Sequence, residues 1–180
     1  YPTHRWTFEK SAIEIMRVLE TTGHDFSHTV FVGYSMGGIV ARRMAVNGFG
    51  CKALISICSP HQGLARWIVP HSPGTLSLSR WSRSLRNLNN DARDEALRLR
   101  YSFFAITYRD RLGYHPHDGI VTQCSALGKN LGKVAARRTT ILNYISKIGG
   151  SEPHVRGMNP QYLSPVLTIY EDMLSSDEYK

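Results

Sequence analysis

The chain has 180 residues, of which 42% are hydrophobic and 20% charged, and its 22 Lys and Arg against 14 Asp and Glu give a net charge of +8. That is enough for one domain with a real core, and no apolar run is long enough to span a membrane. The positive charge is scattered, densest between Arg80 and Arg111, with no Lys/Arg block interleaved with aromatics. A solvated basic face accounts for it, and nucleic-acid binding is not expected. The first residue is Tyr1 and no signal-peptide pattern follows it, so the chain reads as a fragment or processed product whose compartment stays open. The three cysteines, Cys51, Cys58 and Cys124, are odd in number and form no C-x-x-C, so neither a disulfide framework nor a zinc site is suggested. An extended run holds Cys51 and Cys58 too far apart to bridge.

Residues 8–19 carry apolar positions at Ile13, Ile15, Met16, Val18 and Leu19, the spacing of an amphipathic helix that stops at Gly23. The β-branched and aromatic run 28–32 predicts a buried strand. A tight turn over 33–38 leads into a helix that ends near Asn47-Gly48. Residues 53–57 predict a second strand, closed by Ser59-Pro60. From Leu64 to Asn90 the pattern loosens around Pro70, Pro73, Gly74, two tryptophans and many serines. Helix returns over 91–100, strand over 102–107, and a polar loop runs through Gly119. A fourth strand is expected over 139–145, then a closing helix over 159–174 with Asn159 as cap and Pro160 at its first position. Strands alternating with helices imply βαβ units and a mostly parallel α/β sheet flanked by helices. Chemistry then belongs at the carboxyl ends of the strands.

The first such end carries Gly33-Tyr34-Ser35-Met36-Gly37-Gly38, a G-x-S-x-G between strand and helix. This pattern seats a serine on a sharp turn that projects its Oγ clear of the sheet, and glycine is needed where flanking side chains would collide. The helix N-terminus favours negative charge developing at Ser35, and the Met36 N–H is expected to be an oxyanion donor.

A serine nucleophile needs a base held by a carboxylate. Asp118, in Asp118-Gly119 beyond the third strand, is the candidate acid, with Asp110 as competitor. His154, between the last strand and the closing helix, is the candidate base. His117 adjoins Asp118 too closely to serve. Tyr34, His61 and Trp67 are candidates for lining the substrate, although His61, which precedes the acid in sequence, reads more readily as a structural histidine bonded to backbone. No His/Cys/Asp/Glu set has metal-ligand spacing, and no cofactor is expected.

Gly-Tyr-Ser-Met-Gly-Gly at 33–38, Ser-Pro-His-Gln-Gly at 59–63 and Asp-Gly-Ile-Val-Thr-Gln-Cys-Ser-Ala at 118–126 together resemble bacterial triacylglycerol lipases and related esterases of the α/β-hydrolase superfamily. The resemblance runs in order from about Phe8 to Leu174, and His154 followed by Met158 is similar to the family's histidine segment. It implies a carboxylic ester hydrolase with Ser35, Asp118 and His154 as its triad, and it favours Asp118 over Asp110. The family's early strands, and the loop giving the second oxyanion N–H, precede the helix at which this chain starts. The expectation is therefore a single, N-terminally truncated α/β-hydrolase domain over 1–180, with an unpaired sheet edge prone to aggregation and a weakened oxyanion hole. Residues 64–100 form a lid or cap candidate. Trp67, Ile68, Val69, Leu76, Leu78 and Trp81 suit a cover over an acyl pocket or a lipid interface; a surface helix pair packed on the core has the same texture. The partner expected is a small-molecule ester or lipid. An acyltransferase, or a non-catalytic lipid- or protein-binding module, is the alternative.

Overall fold

The computed structural model describes residues 2, 4–23, 25–145, 152–156 and 160–175. Helix α1 (Phe8–Glu20) opens with the Thr7 side chain accepting the N–H of Lys10. Its Ile15, Met16 and Leu19 lean on the core, while Ile13 and Val18 face solvent. Strand β1 (Val30–Tyr34), helix α2 (Met36–Val46) and strand β2 (Ala53–Ile57) follow. Short helices α3 (Pro73–Ser77), α4 (Arg83–Asn89) and α5 (Ala92–Leu97) lead to strand β3 (Tyr101–Asp110) and strand β4 (Gly113–His115). The chain continues through helix α6 (Gln123–Ala126), strand β5 (Arg138–Ile145), helix α7 (Glu152–Arg156) and helix α8 (Pro160–Ser175).

Among the described residues the sheet has five strands. β1, β2, β3 and β5 run parallel, with Val30 opposite Ala53, Leu54 opposite Tyr101 and Ser102 opposite Arg138. β4 returns antiparallel on the end of β3, with Arg109 opposite Tyr114. Every residue of β2 is buried, because both faces of the sheet are covered. Ala53, Ile55 and Ile57 pack with Phe104, Ile106 and Val166 of α8. Leu54 packs with Ala41 of α2, Tyr101 and Phe103.

Two sequence expectations need correction. Residues 26–28 form a 3-10 turn capped by Asp25, so β1 starts at Val30 and extends to Tyr34. β1 is also not fully buried: Val32 is 55% exposed, because β1 ends the sheet and has no strand on its outer edge among the described residues. β4, α6 and α7 were not anticipated. The proposed cap Asn159 and Met158 lie outside the described residues.

The loose segment after Leu64 is anchored. Leu78, Leu85 and Leu88 are buried in one cluster with Phe8, Met36 and Ile39. Its outer surface carries Trp67, Val69, Leu76 and Trp81, all exposed. Among the described residues, no helix is long and apolar enough to cross a membrane.

Candidate active site

Ser35 sits between β1 and α2 with φ 51° and ψ −124°, a conformation that side-chain-bearing residues rarely hold without support. Its N–H donates to the carbonyl of Ile57 at 2.8 Å, which ties the turn to β2. A Cβ on Gly33 would lie 2.5 Å from the nitrogen of Gly38. One on Gly38 would run into the hydroxyls of Ser56 and Ser59. The glycines therefore let strand and helix fold back on each other and let α2 close on β2. Met36 opens α2, where an N–H has no acceptor within the helix.

His154, on α7, is buried, and its Nε2 lies 3.0 Å from Ser35 Oγ. Its Nδ1 lies 2.7 Å from Oδ2 of the buried Asp118. A carboxylate only accepts, so Nδ1 carries the proton and Nε2 is left to accept from the serine hydroxyl. Asp118 Oδ1 accepts the N–H groups of Ile120 at 2.9 Å and Val121 at 2.7 Å. The N–H of His154 donates to the Asp118 carbonyl at 3.0 Å. Residues far apart in sequence thus form one hydrogen-bonded line, arranged so that the serine proton can pass to an imidazole held by a fixed carboxylate.

Asp110, the competing acid, is engaged elsewhere: it pairs with His115 Nε2 at 2.9 Å and accepts the N–H of Leu112 at 2.8 Å. The His115 hydrogen bond, then that N–H, hold its carboxyl below the ordinary range. His117 Nδ1 accepts the Gly119 N–H at 3.0 Å, so it braces the loop that carries Asp118.

The three substrate-lining candidates separate. Tyr34 packs against the ring of His154 at 5.3 Å between centroids. It also lines an apolar groove of about 350 Å³ with Val30, Val32, Val166 and Tyr170. Trp67 donates its indole N–H to the Gly119 carbonyl at 3.1 Å and sets its ring edge-on to His117. It therefore stands on the loop that carries Asp118. His61 is a correction: it is fully buried and both ring nitrogens are taken, so no substrate can reach it. Its Nδ1 lies 3.0 Å from Arg42 Nη1 and its Nε2 3.0 Å from Ser56 Oγ. Since guanidinium only donates, Nδ1 accepts and Nε2 donates to Ser56. Burial, then Arg42 and Arg98, push its pKa well below the usual value and keep it neutral.

Arg42, on α2, belongs to a buried ion cluster. Asp94 lies 2.6 Å from Arg42 and 3.0 Å from Arg98, and all three are essentially solvent-free. Cys58 is the residue that sequence reasoning missed. It follows β2 directly, is fully buried, and brings its sulfur within 4.8 Å of ligand atoms on Asp118 and His154. The signal available was its place at the carboxyl end of a parallel strand. All three cysteines are free, and only Cys124 is exposed.

No protein-family model matches the chain, and no curated protein matches its sequence. Solved structures do resemble it. The lipase BlEst2 of Bacillus licheniformis in its mature form aligns with 92% of this chain and 75% of its own, at 14% identity and a TM-score of 0.57. The lin2722 product of Listeria innocua aligns over 97% of this chain and 72% of its own, at 16% identity and a TM-score of 0.56. The N-acyl homoserine lactonase AidH, complexed with N-butanoyl homoserine, aligns over 98% and 74%, at 13% identity and a TM-score of 0.53. Likeness at such identities is likeness of fold.

Proposed function

We propose that this chain, which has the α/β-hydrolase fold, is a serine hydrolase that cleaves carboxylic esters through Ser35, His154 and Asp118. The observation that carries the reading is the relay of 3.0 and 2.7 Å hydrogen bonds that begins at a hydroxyl on a strained turn. Ser35 Oγ attacks the ester carbonyl carbon while His154 Nε2 takes its proton. The Met36 N–H and the positive end of α2 stabilise the oxyanion. His154 then returns the proton to the departing alkoxide, leaving an acyl-enzyme on Ser35. Water attacks that ester with the same base, and the acid is released. Asp118 accepts the Nδ1 hydrogen bond and so holds the imidazole in orientation.

Tyr34 and the groove beside it form the acyl wall in this reading, and Trp67 borders the site from the Asp118 loop. Within the 64–100 segment of this single domain, the part up to Trp81 acts as the cap, fixed to the core at Leu64 and Leu78. Its exposed Trp67, Val69 and Trp81 stand beside Arg66 and Arg80. That mixture suits an anionic lipid surface. Changing Trp67 and Trp81 to serine should lower turnover of emulsified esters more than of dissolved ones; equal losses would remove the lipid-interface part of the reading.

The test of the activity is turnover of p-nitrophenyl esters of graded chain length, with a lactone and a thioester alongside. Release of nitrophenol by the wild-type chain and none by Ser35→Ala is the expected result. Acyl transfer to an added alcohol in preference to water would favour an acyltransferase. Equal rates in chain and variant would leave a binding module.

A further inference from the structure

The proton relay leaves one neighbouring group unused. Cys58 is held at φ 52°, a region that residues with side chains seldom adopt. Its N–H is fixed to the Phe104 carbonyl at 2.8 Å. The position sets a buried sulfur beside the acid–base pair: sulfur, carboxylate oxygen and imidazole nitrogen lie within 4.8 Å of one another. A second observation marks the same place. The Tyr34 hydroxyl is buried without a hydrogen-bond partner among the described residues. The Tyr34 ring packs against that of His154 at 5.3 Å between centroids.

The donor set is chemically specific. One thiol, one imidazole and one carboxylate suit a borderline-soft divalent ion such as zinc, whereas magnesium and calcium call for oxygen donors. Burial, then the Asp118 charge, pushes the Cys58 thiol up, so the empty site carries only the charge of Asp118. Once the cation displaces the thiol proton, thiolate and carboxylate balance its charge of plus two and the loaded site is neutral. Zinc holds such ligands at about 2.0–2.3 Å, which spaces them about 3.4–3.6 Å apart. The 2.7 Å Nδ1–Oδ2 contact therefore opens slightly and the sulfur closes in. The Tyr34 hydroxyl is then available to donate to a coordinated oxygen or sulfur.

We propose that Cys58, Asp118 and His154 bind one zinc-class cation reversibly and that its binding switches off the hydrolase. The inhibitory half rests on the function proposed above; the binding half does not. Bonds form from zinc to the Cys58 sulfur, an Asp118 oxygen and His154 Nδ1. The Cys58 S–H bond breaks and its proton goes to solvent. The Nδ1 proton is replaced by one on Nε2, through solvent, so the imidazole remains neutral. No electron is transferred. With Nε2 protonated and Nδ1 coordinated, His154 has no lone pair for the Ser35 proton.

The experiment uses the full chain with Cys124→Ser, which removes the exposed thiol, after chelator treatment. Titration with cobalt should saturate at one equivalent with a thiolate-to-cobalt charge-transfer band, and zinc should displace it. The band should vanish in Cys58→Ser and Cys58→Ala and persist in Ser35→Ala. One equivalent of zinc should slow ester turnover at least tenfold, with recovery on adding chelator, while each Cys58 variant should change less than twofold with zinc. Absence of the band in folded protein, or its persistence without Cys58, overturns the site. A band with turnover unaffected by zinc overturns the switch. If no form turns over ester, the hydrolase reading and the switch fail together, while the cobalt band still decides the site.

Discussion

Replacing Asp94 with asparagine should cost this chain a large share of its stability. The substitution keeps side-chain size and removes one charge. Asp94 Oδ1 accepts Arg42 Nε at 3.0 Å, and Oδ2 accepts Arg42 Nη2 at 2.6 Å and Arg98 Nε at 3.1 Å. With 0% and 1% side-chain exposure, Arg42 and Arg98 have no water to replace that charge. Breaking a buried pair in this way costs about 3–5 kcal/mol, against a total stability of about 5–15 kcal/mol for a domain. With a urea slope of about 2 kcal/mol/M, the unfolding midpoint should fall by about 1.5–2.5 M. Far-UV circular dichroism in urea reads it. Adding Arg98→Met to Asp94→Asn should recover part of the loss, because one uncompensated cation then disappears. A midpoint shift worth less than about 1 kcal/mol for Asp94→Asn, the size of an exposed pair, would refute the reasoning.

Other consequences are as direct. Asp118→Asn should lower kcat by about 10⁴ with little change in folding, because an amide can donate to Nδ1 and favour the wrong imidazole tautomer; steady-state kinetics checks it. Gly33→Ala should lower the melting temperature and abolish labelling of Ser35, since the added methyl meets backbone at 2.5 Å; overpacking of this kind costs about 1–3 kcal/mol or more. His61 stays neutral in the fold but takes up a proton near pH 6.5 when unfolded. The unfolded state then binds more protons, so stability is present above pH 6.5 and falls as pH drops below it, by up to about 1.4 kcal/mol per pH unit. His61→Gln should flatten that slope in urea melts at pH 5–7.

Much of the frame was legible because it rests on local pattern. β2 is apolar but for Ser56 and has the expected bounds, and α1 has a helical stripe with a capping threonine. The start of β1 was misread because His28-Thr29 look strand-like, while Asp25 captures the N–H of Ser27 and makes a turn. β4, α6 and α7 are three to five residues long, too short for a period to register. Ser35, Asp118 and His154 each follow a strand, and they meet in space. Other features had no local signal. That His61 faces Arg42 instead of substrate follows from how α2 and α5 pack. That Cys58 adjoins Asp118 and His154 follows from strand order, since the three are separated by 60 and 36 positions.

The most direct test of the account is whether Ser35 is activated. The folded chain would be treated with a fluorophosphonate and any adduct mapped by mass spectrometry, with Ser35→Ala and His154→Ala beside it. The account predicts one adduct on Ser35, none in Ser35→Ala, and labelling of His154→Ala slower by orders of magnitude. No adduct on Ser35 in folded protein, or one that forms equally fast without His154, would contradict it.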